Sequence, residues 1–225
     1  MKIFFALAIV ILGFTFASAQ NEQAPVIEKQ FDYKNWKYDD VRGGDEIDLR
    51  KFAKGKRLVM VVYFAPWCPN WRHEAPFAEK LYEKYKTNGF DVIGVGEYDT
   101  ANATKTNLDE LKITFPVVYE SQSRDDREKT LHFGYRKLTG DTRKWGSPWN
   151  VFLLPGNIEK KGDVLTKTAP VVNGELIESD AEKFVREKLG LPAEETKAST
   201  DASKKEIEAC DPADTKSTSL KKPNQ

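Results

Sequence analysis

The stretch that most constrains this chain is residues 58–76, LVMVVYFAPWCPNWRHEAP. Residues 58–65 form an unbroken apolar run rich in β-branched and aromatic side chains, which predicts a strand buried on both faces. The run ends at Pro66, and Pro69 suits the first turn of a helix, where a missing N–H costs nothing. We therefore expect Cys68 to lie where a strand passes into a helix N-terminus. That position favours a thiolate, because the helix dipole and the open backbone N–H groups stabilise negative charge.

The same stretch resembles the active site of the thioredoxin-like superfamily, W-C-x-x-C followed by a proline five residues after the second cysteine. The matching residues are Trp67, Cys68, Pro69, Asn70 and Pro76. The second cysteine is replaced by Trp71. The resemblance extends over about residues 31–190 and points to the exported TlpA/ResA-like branch, which is related to the redoxin and AhpC/TSA proteins. It implies an α/β thioredoxin-like fold, a central mixed β-sheet flanked by helices, with an N-terminal strand extension.

The predicted elements agree with such a fold. Strands are predicted at residues 90–96, 115–119, 150–154 and 164–172, and helices at residues 69–88 and 124–133 and before the strand at 115–119. Alternation of strand and helix in the first half predicts parallel pairing with right-handed crossovers. We expect Pro170 to break the last strand. A capping box of Ser179 and Glu182 is expected to start the final helix, and Gly190 to end it.

The two ends of the chain have compositions of their own. Residues 1–19 match a signal peptide, with a basic Lys2, an apolar run at 3–16 and small residues before the cleavage site. The alternative is an uncleaved anchor, but the apolar run is shorter than the roughly 20 residues of a membrane span. Residues 20–30 are expected to be a flexible lead-in, 31–192 the thioredoxin-like domain, and 193–225 a disordered polar tail.

Composition excludes several classes of function. The chain has 35 basic and 35 acidic residues, interspersed rather than clustered, which argues against nucleic-acid binding. Its two cysteines cannot form a disulfide scaffold, and its two histidines, without a Cys or Asp cluster, predict no metal site. We expect no cofactor, no membrane association after signal cleavage, and a monomer.

Cys68 is the predicted nucleophile, and its alternative is a buried inert cysteine. The resemblance implies that Ser147-Pro148 is a cis peptide beside Cys68, and that the backbone of Ser147 pairs with an extended substrate; the alternative is an ordinary trans loop proline. It also places Glu97 where ResA-like proteins carry an active-site glutamate that shuttles protons or tunes the thiol. A solvated acid at a strand end is the alternative for Glu97. Candidate substrate-binding residues are Trp67, Pro69, Asn70, Trp71, Ser147 and Pro148.

The replacement of the second cysteine leaves the resolving step open, since that thiolate normally releases the substrate from a mixed disulfide. Trp71 in its place is either an exposed part of a binding surface or packed over the site. Cys210 in the tail is a possible resolving thiol, with a reach on the order of 25 Å, or an incidental tail cysteine.

Two functions therefore remain. The first is an exported thiol oxidoreductase that uses Cys68 in thiol–disulfide exchange with protein or small thiols. The second is a non-catalytic thioredoxin-fold module that binds an exported partner through the groove and Trp71. A peroxiredoxin is disfavoured, because that family has Thr or Ser three residues before its reactive cysteine and this chain has Ala65.

Overall fold

The computed structural model describes residues 22–192. The predicted signal peptide and the predicted tail with Cys210 lie outside these residues. Within the described part, none of the helices combines the length and the apolar character needed to cross a bilayer.

Ten strands and five α-helices make up the described chain. The strands are β1 (Gln23–Ala24), β2 (Ile27–Lys34), β3 (Lys37–Tyr38), β4 (Ile47–Asp48), β5 (Leu58–Phe64), β6 (Phe90–Gly96), β7 (Val117–Tyr119), β8 (Trp149–Leu153), β9 (Val164–Val172) and β10 (Glu175–Leu176). The α-helices are α1 (Leu49–Ala53), α2 (Pro69–Tyr85), α3 (Ala101–Leu111), α4 (Leu131–Thr139) and α5 (Glu178–Lys188). Short 3₁₀ helices lie at Lys86–Asn88, Arg124–Lys129 and Pro155–Asn157.

A six-stranded sheet in the order β2-β9-β8-β5-β6-β7 forms the centre. Strand β5 pairs in parallel with β6, and β6 in parallel with β7, whereas β8 is antiparallel to β5 and β9 to β8. All residues of β5 are buried, as expected for a central strand covered on both faces. The sheet is therefore mixed, and β5 delivers its carboxyl end to the start of α2.

Two apolar clusters sandwich the sheet. On one face, Val62 and Phe64 of β5 pack with buried residues of α2, α3 and α5. On the other, Val61 and Tyr63 pack with residues of α1 and α4. Alternate β5 side chains thus serve opposite cores, because successive strand residues point to opposite faces.

Several predicted elements are confirmed and others are wrong. The strands at 90–96 and 164–172 occupy those residues, but Pro170 does not break β9, since it stays in register opposite Glu28 of β2. The predicted helix at 124–133 is a 3₁₀ turn followed by α4. Between them Thr130 ends the turn and caps α4, its hydroxyl accepting from the N–H of Phe133 at 3.0 Å.

The expected flexible lead-in is also wrong over its described part. Strand β1 pairs in parallel with β10, and β2 starts at Ile27 and runs antiparallel to β9. Along β2, Phe31 and Tyr33 are buried while Glu28 and Asp32 are exposed. This two-residue alternation is the signal of a strand with one buried face, and it begins before residue 31.

The expected capping box of the last helix does not form. Helix α5 begins at Glu178, so Ser179 lies inside its first turn, and the Ser179 hydroxyl lies 3.4 Å from the Asp180 carboxylate rather than on a backbone N–H. The end at Gly190 is confirmed, because that residue has the positive φ of 63° that glycine permits.

Replacing Leu108 with Ala is expected to lower the free energy of unfolding by about 2–5 kcal/mol, since its fully buried side chain joins α3 to the core. The matched control is Leu138→Ala on α4, where the side chain is 63% exposed and the change should be close to zero. Urea unfolding of both variants measures the difference, and equal losses would contradict the described packing of α3.

Candidate active site

Cys68 caps the N-terminus of α2. Its backbone is extended, its N–H donates to the Ala65 carbonyl at 3.0 Å, and its own carbonyl accepts from the Arg72 N–H at 3.1 Å. Pro69 occupies the first turn of the helix. The predicted passage from strand to helix N-terminus is therefore confirmed, and open N–H groups of the first turn surround the cysteine.

The sulfur of Cys68 is enclosed by protein. Sγ lies 3.2 Å from the carbonyl oxygen of Ser147, and Cys68 has no exposed surface. It is not a free thiol but takes part in a disulfide. Cys68 is therefore buried, as its alternative expected, and takes part in a disulfide instead of presenting the accessible thiol that the sequence favours.

Ser147-Pro148 is a cis peptide, as the resemblance implied. The Ser147 hydroxyl accepts from the N–H of Ala65 at 2.8 Å, which ties this loop to the residue directly after β5. Ser147 therefore contacts the Cys68 segment twice, through Oγ at Ala65 and through its carbonyl at the sulfur. The two halves of the site come from chain segments about 80 residues apart.

A buried ionic network holds the loop that carries Pro148. Arg136 and Arg143 both pair with the Asp141 carboxylate, at 3.1 and 2.8 Å. Arg143 also donates to the Pro148 carbonyl at 2.8 Å and pairs with Glu22 at 2.9 Å. Burial alone would raise the pKa of Asp141, but the two guanidinium groups outweigh burial and lower it.

His132 supports the same loop from the opposite side. It is fully buried, its Nδ1 lies 2.9 Å from the Tyr98 hydroxyl, and its Nε2 lies 3.2 Å from the Gly146 carbonyl. Burial, and then the positive charges of Arg136 and Arg143, hold the pKa of His132 well below its usual range. The neutral ring therefore carries its proton on Nε2, where it donates to Gly146 and accepts from Tyr98 at Nδ1.

Two of the predicted substrate-binding side chains are structural. Trp71 is fully buried, stacks on Phe64 at 3.9 Å and donates from Nε1 to Asn107 at 2.8 Å. Asn70 is also fully buried and donates to the Glu22 carboxylate. Neither side chain is available to a partner. Trp71 is packed and not exposed, but it packs in the core against Phe64 and Asn107, not over the site as the second alternative had it.

Glu97 is buried directly after β6, not solvated at a strand end. Its carboxyl group accepts from the Ser121 hydroxyl at 2.5 Å. Burial raises its pKa well above the usual range, and the neighbouring Glu120 raises it further, which favours the protonated carboxyl group in the folded protein. Within the described residues its hydrogen bond is to Ser121 and not to Cys68.

Glu74, which sequence reasoning missed, is a second buried acid beneath the site. One carboxylate oxygen accepts from the Leu176 N–H at 2.7 Å and from the Asn150 side chain at 3.2 Å. Burial raises the pKa of Glu74 to about 8 against the opposing effect of these hydrogen bonds. Its position three residues after Trp71 and four before Ala78 places it on the buried face of α2, and this spacing was the available signal.

A basic rim lies beside Cys68. Trp67 and Trp145 meet edge to face at 5.2 Å, the guanidinium of Arg124 lies 4.6 Å from the centre of the Trp67 ring, and Arg127 and Lys144 lie 5.4 and 5.8 Å from that of Trp145. We use "basic rim" for these five residues. Trp67 and Pro69 are partly exposed, whereas Ser147 and Pro148 are buried, so of the predicted substrate-binding residues only Trp67 and Pro69 reach the surface.

No group of three or more His, Cys, Asp or Glu side chains placed to hold a metal occurs within residues 22–192. The described site combines the Cys68 sulfur with the N-terminus of α2 and the cis peptide at Ser147-Pro148.

The Redoxin family pattern matches residues 20–154, more than half of the chain. The chain belongs to the redoxin family. Similar curated proteins include the thiol-disulfide oxidoreductase ResA of Halalkalibacterium halodurans, 29% identical over 49% of this chain and 61% of that protein. Another is ResA of Bacillus cereus, 32% identical over 34% of this chain and 43% of that protein. The chain thus spans less than two thirds of the length of either relative.

Solved structures share the fold. One is a thiol:disulfide interchange protein from a Bacteroides species, with TM-score 0.52 and 20% identity, covering 74% of this chain and 93% of that one. Another is a secreted thiol-disulfide isomerase from Corynebacterium glutamicum, with TM-score 0.50 and 15% identity, covering 72% and 92%. The fold is therefore thioredoxin-like, as the resemblance implied, with a mixed sheet flanked by helices.

The raised pKa of Glu74 makes stability depend on pH. Below about pH 4.5 the Glu74 carboxyl is neutral in the folded and in the unfolded protein. Between about pH 4.5 and about pH 8 only the folded protein keeps the proton. The free energy of unfolding should therefore fall by about 1.4 kcal/mol per pH unit over this window on account of Glu74.

Glu74→Gln should flatten this part of the slope, whereas Glu187→Gln, at an exposed position on α5, should leave it unchanged. Urea unfolding between pH 5 and 8 makes the comparison. Parallel stability curves for the wild type and Glu74→Gln would contradict a protonated Glu74.

Proposed function

We propose that this protein is an exported thiol oxidoreductase that uses Cys68 in thiol–disulfide exchange with protein or small thiols. The observation that carries the proposal is the position of the Cys68 sulfur, at the cap of α2, against the Ser147 carbonyl, and already in a disulfide. The names of the ResA relatives, which are thiol-disulfide oxidoreductases, agree with this chemistry. The signal-peptide pattern at residues 1–19 supports export.

In the proposed reaction the Cys68 thiolate attacks one sulfur of a substrate disulfide. A bond forms between Cys68 and that sulfur, the substrate S–S bond breaks, and the other substrate sulfur leaves as a thiolate. The N-terminus of α2 stabilises the attacking thiolate, and the backbone at Ser147 and Pro148 positions the substrate beside Trp67. Glu97, buried and with a raised pKa, is proposed to tune the site without direct contact with Cys68.

The alternative, a non-catalytic binding module, loses its main support. It needed Trp71 as an exposed anchor, and Trp71 is fully buried and hydrogen-bonded to Asn107. Binding through the basic rim alone would not require a sulfur at residue 68.

The test uses single-thiol variants. Cys210→Ser, reduced and mixed with glutathione disulfide at pH 7, should gain one glutathionyl group at Cys68, the mass of glutathione less two hydrogens, and release one glutathione. The control Cys68→Ser keeps only Cys210. This thiol should react at about one tenth of the rate of Cys68 or more slowly still, because an ordinary thiol is only a few per cent thiolate at this pH. Mass spectrometry follows both reactions. A Cys68 that forms no adduct while Cys210 does would refute the oxidoreductase and leave the binding module.

A further inference from the structure

Two stacked arginine–tryptophan pairs lie beside Cys68. The guanidinium of Arg124 lies 4.6 Å from the centre of the Trp67 ring, and that of Arg127 lies 5.4 Å from the centre of the Trp145 ring. The two rings meet edge to face at 5.2 Å, which joins both pairs into one surface. We call these four residues the arginine–indole patch. Trp67 directly precedes Cys68 in the chain, so the patch begins at the residue next to the reactive sulfur.

The spacing of the two arginines explains why they serve the same patch. Both belong to the 3₁₀ turn Arg124–Lys129, which the Ser123 hydroxyl caps by accepting from the Asp125 N–H at 3.2 Å. A 3₁₀ helix has three residues per turn, so side chains three positions apart project to the same side. By the same geometry Asp125 and Asp126 project in other directions, and Asp126 pairs with Lys129 at 2.9 Å. The turn therefore presents its arginines, and not its aspartates, to the two indoles.

The patch contains two buried donors that have no acceptor. Nε1 of Trp67 and Nε1 of Trp145 are buried atoms without a hydrogen-bond partner among the described residues, and Trp145 as a whole is only 7% exposed. An indole N–H can only donate, and buried polar groups in native proteins are paired in the great majority of cases. Trp67 is partly exposed, which gives a ligand access to the patch from solvent. Two unpaired donors in adjacent rings favour a ligand that brings oxygen acceptors.

The charge of the patch favours an anion as that ligand. Arg124 is exposed and makes no ion pair within residues 22–192, its described contact being the Trp67 ring. A guanidinium stacked on an aromatic ring keeps its in-plane N–H groups available, and these form a fork that matches a carboxylate. Arg127 is already paired with Glu128 at 2.7 Å, so Arg124 supplies the charge for a ligand. A carboxylate suits both the guanidinium fork and the indole donors.

We propose that the arginine–indole patch selects substrate disulfides that carry a carboxylate close to the reacting sulfur. This rests on the proposed function of Cys68. The carboxylate binds Arg124 and accepts from the indole N–H groups, and the neighbouring S–S bond then lies beside Cys68. The exchange follows with the same balance of bonds: Cys68 Sγ bonds to the nearer substrate sulfur, the substrate S–S bond breaks, and the other sulfur leaves as a thiolate.

The test compares three small disulfides of similar size at pH 7: dithiodipropionate, which is anionic, hydroxyethyl disulfide, which is neutral, and cystamine, which is cationic. Reduced Cys210→Ser keeps Cys68 as its one thiol. Mass spectrometry follows its mixed disulfide with each compound. Each rate is divided by the rate of the same compound with the uncharged thiol N-acetylcysteine amide, which removes the intrinsic differences between the leaving thiols.

On this scale dithiodipropionate should react about tenfold faster than hydroxyethyl disulfide, the effect of a hydrogen bond to a charged group, and cystamine should react slowest. Equal corrected rates for the three compounds would overturn the patch as a carboxylate site while leaving the reactivity of Cys68 intact. The absence of a mixed disulfide with all three would instead refute the proposed function.

Two variants of the patch separate recognition from reactivity. Arg124→Gln should lower the ratio of the dithiodipropionate rate to the hydroxyethyl disulfide rate about threefold, the scale of an exposed charge pair, and added salt should reduce the difference. Trp145→Phe, which keeps a ring but removes the N–H, should lower the same ratio. The matched control is Lys161→Gln, an exposed lysine in the loop after β8, at the opposite end of β5 from Cys68. If Arg124→Gln slows all three disulfides equally, the arginine acts on the Cys68 thiolate and not on the substrate, which would overturn the proposal.

Peptide disulfides identify the source of the carboxylate. The symmetrical disulfides of the blocked dipeptides Glu-Cys and Lys-Cys are compared in the same assay. A preference for the Glu peptide at least as large as that for dithiodipropionate over cystamine assigns the patch to acidic segments of protein substrates. A smaller preference assigns it to small carboxylate disulfides, and both results support a carboxylate as the recognised group.

Discussion

The site depends on the hydrogen bond from the Ala65 N–H to the Ser147 hydroxyl. It joins the end of β5 to the loop before β8, and the Ser147 carbonyl then lies 3.2 Å from the Cys68 sulfur. The pairing of β5 with β8 brings these segments together, since Tyr63 is opposite Trp149 in the ladder. Without that antiparallel pairing the helix N-terminus would carry a cysteine but no opposing backbone.

Buried polar side chains support the contact between the end of β5 and the loop before β8, and some of them form ion pairs while others do not. Asp141 pairs with two arginines and holds the loop, whereas burial lowers the pKa of His132 and raises the pKa values of Glu74 and Glu97, which favours their neutral forms. A buried charge is tolerated only when it is paired, which explains the division. The sulfur therefore lies at a helix N-terminus and against the Ser147 carbonyl.

Much of the fold follows from the sequence, because β5 and β6 are continuous apolar runs and the strand–cysteine–helix stretch has one plausible geometry. The cis bond at Pro148 was predicted from the resemblance alone. The burial of Trp71 and Glu74 is harder to predict from the sequence. It depends on which face of α2 packs against α3 and β10, and that is set by tertiary packing. The ion pairs of Arg143 with Asp141 and Glu22 join residues far apart in sequence, and local pattern carries no signal for them.

The central claim is that the cap of α2 makes Cys68 a reactive thiolate. The direct measurement is the rate of iodoacetamide alkylation of reduced Cys210→Ser as a function of pH. The account predicts that the rate reaches half its maximum well below the roughly pH 8.5 of a free cysteine. A half-maximal rate at or above that pH, or a thiol that iodoacetamide does not modify in the folded protein, would contradict it.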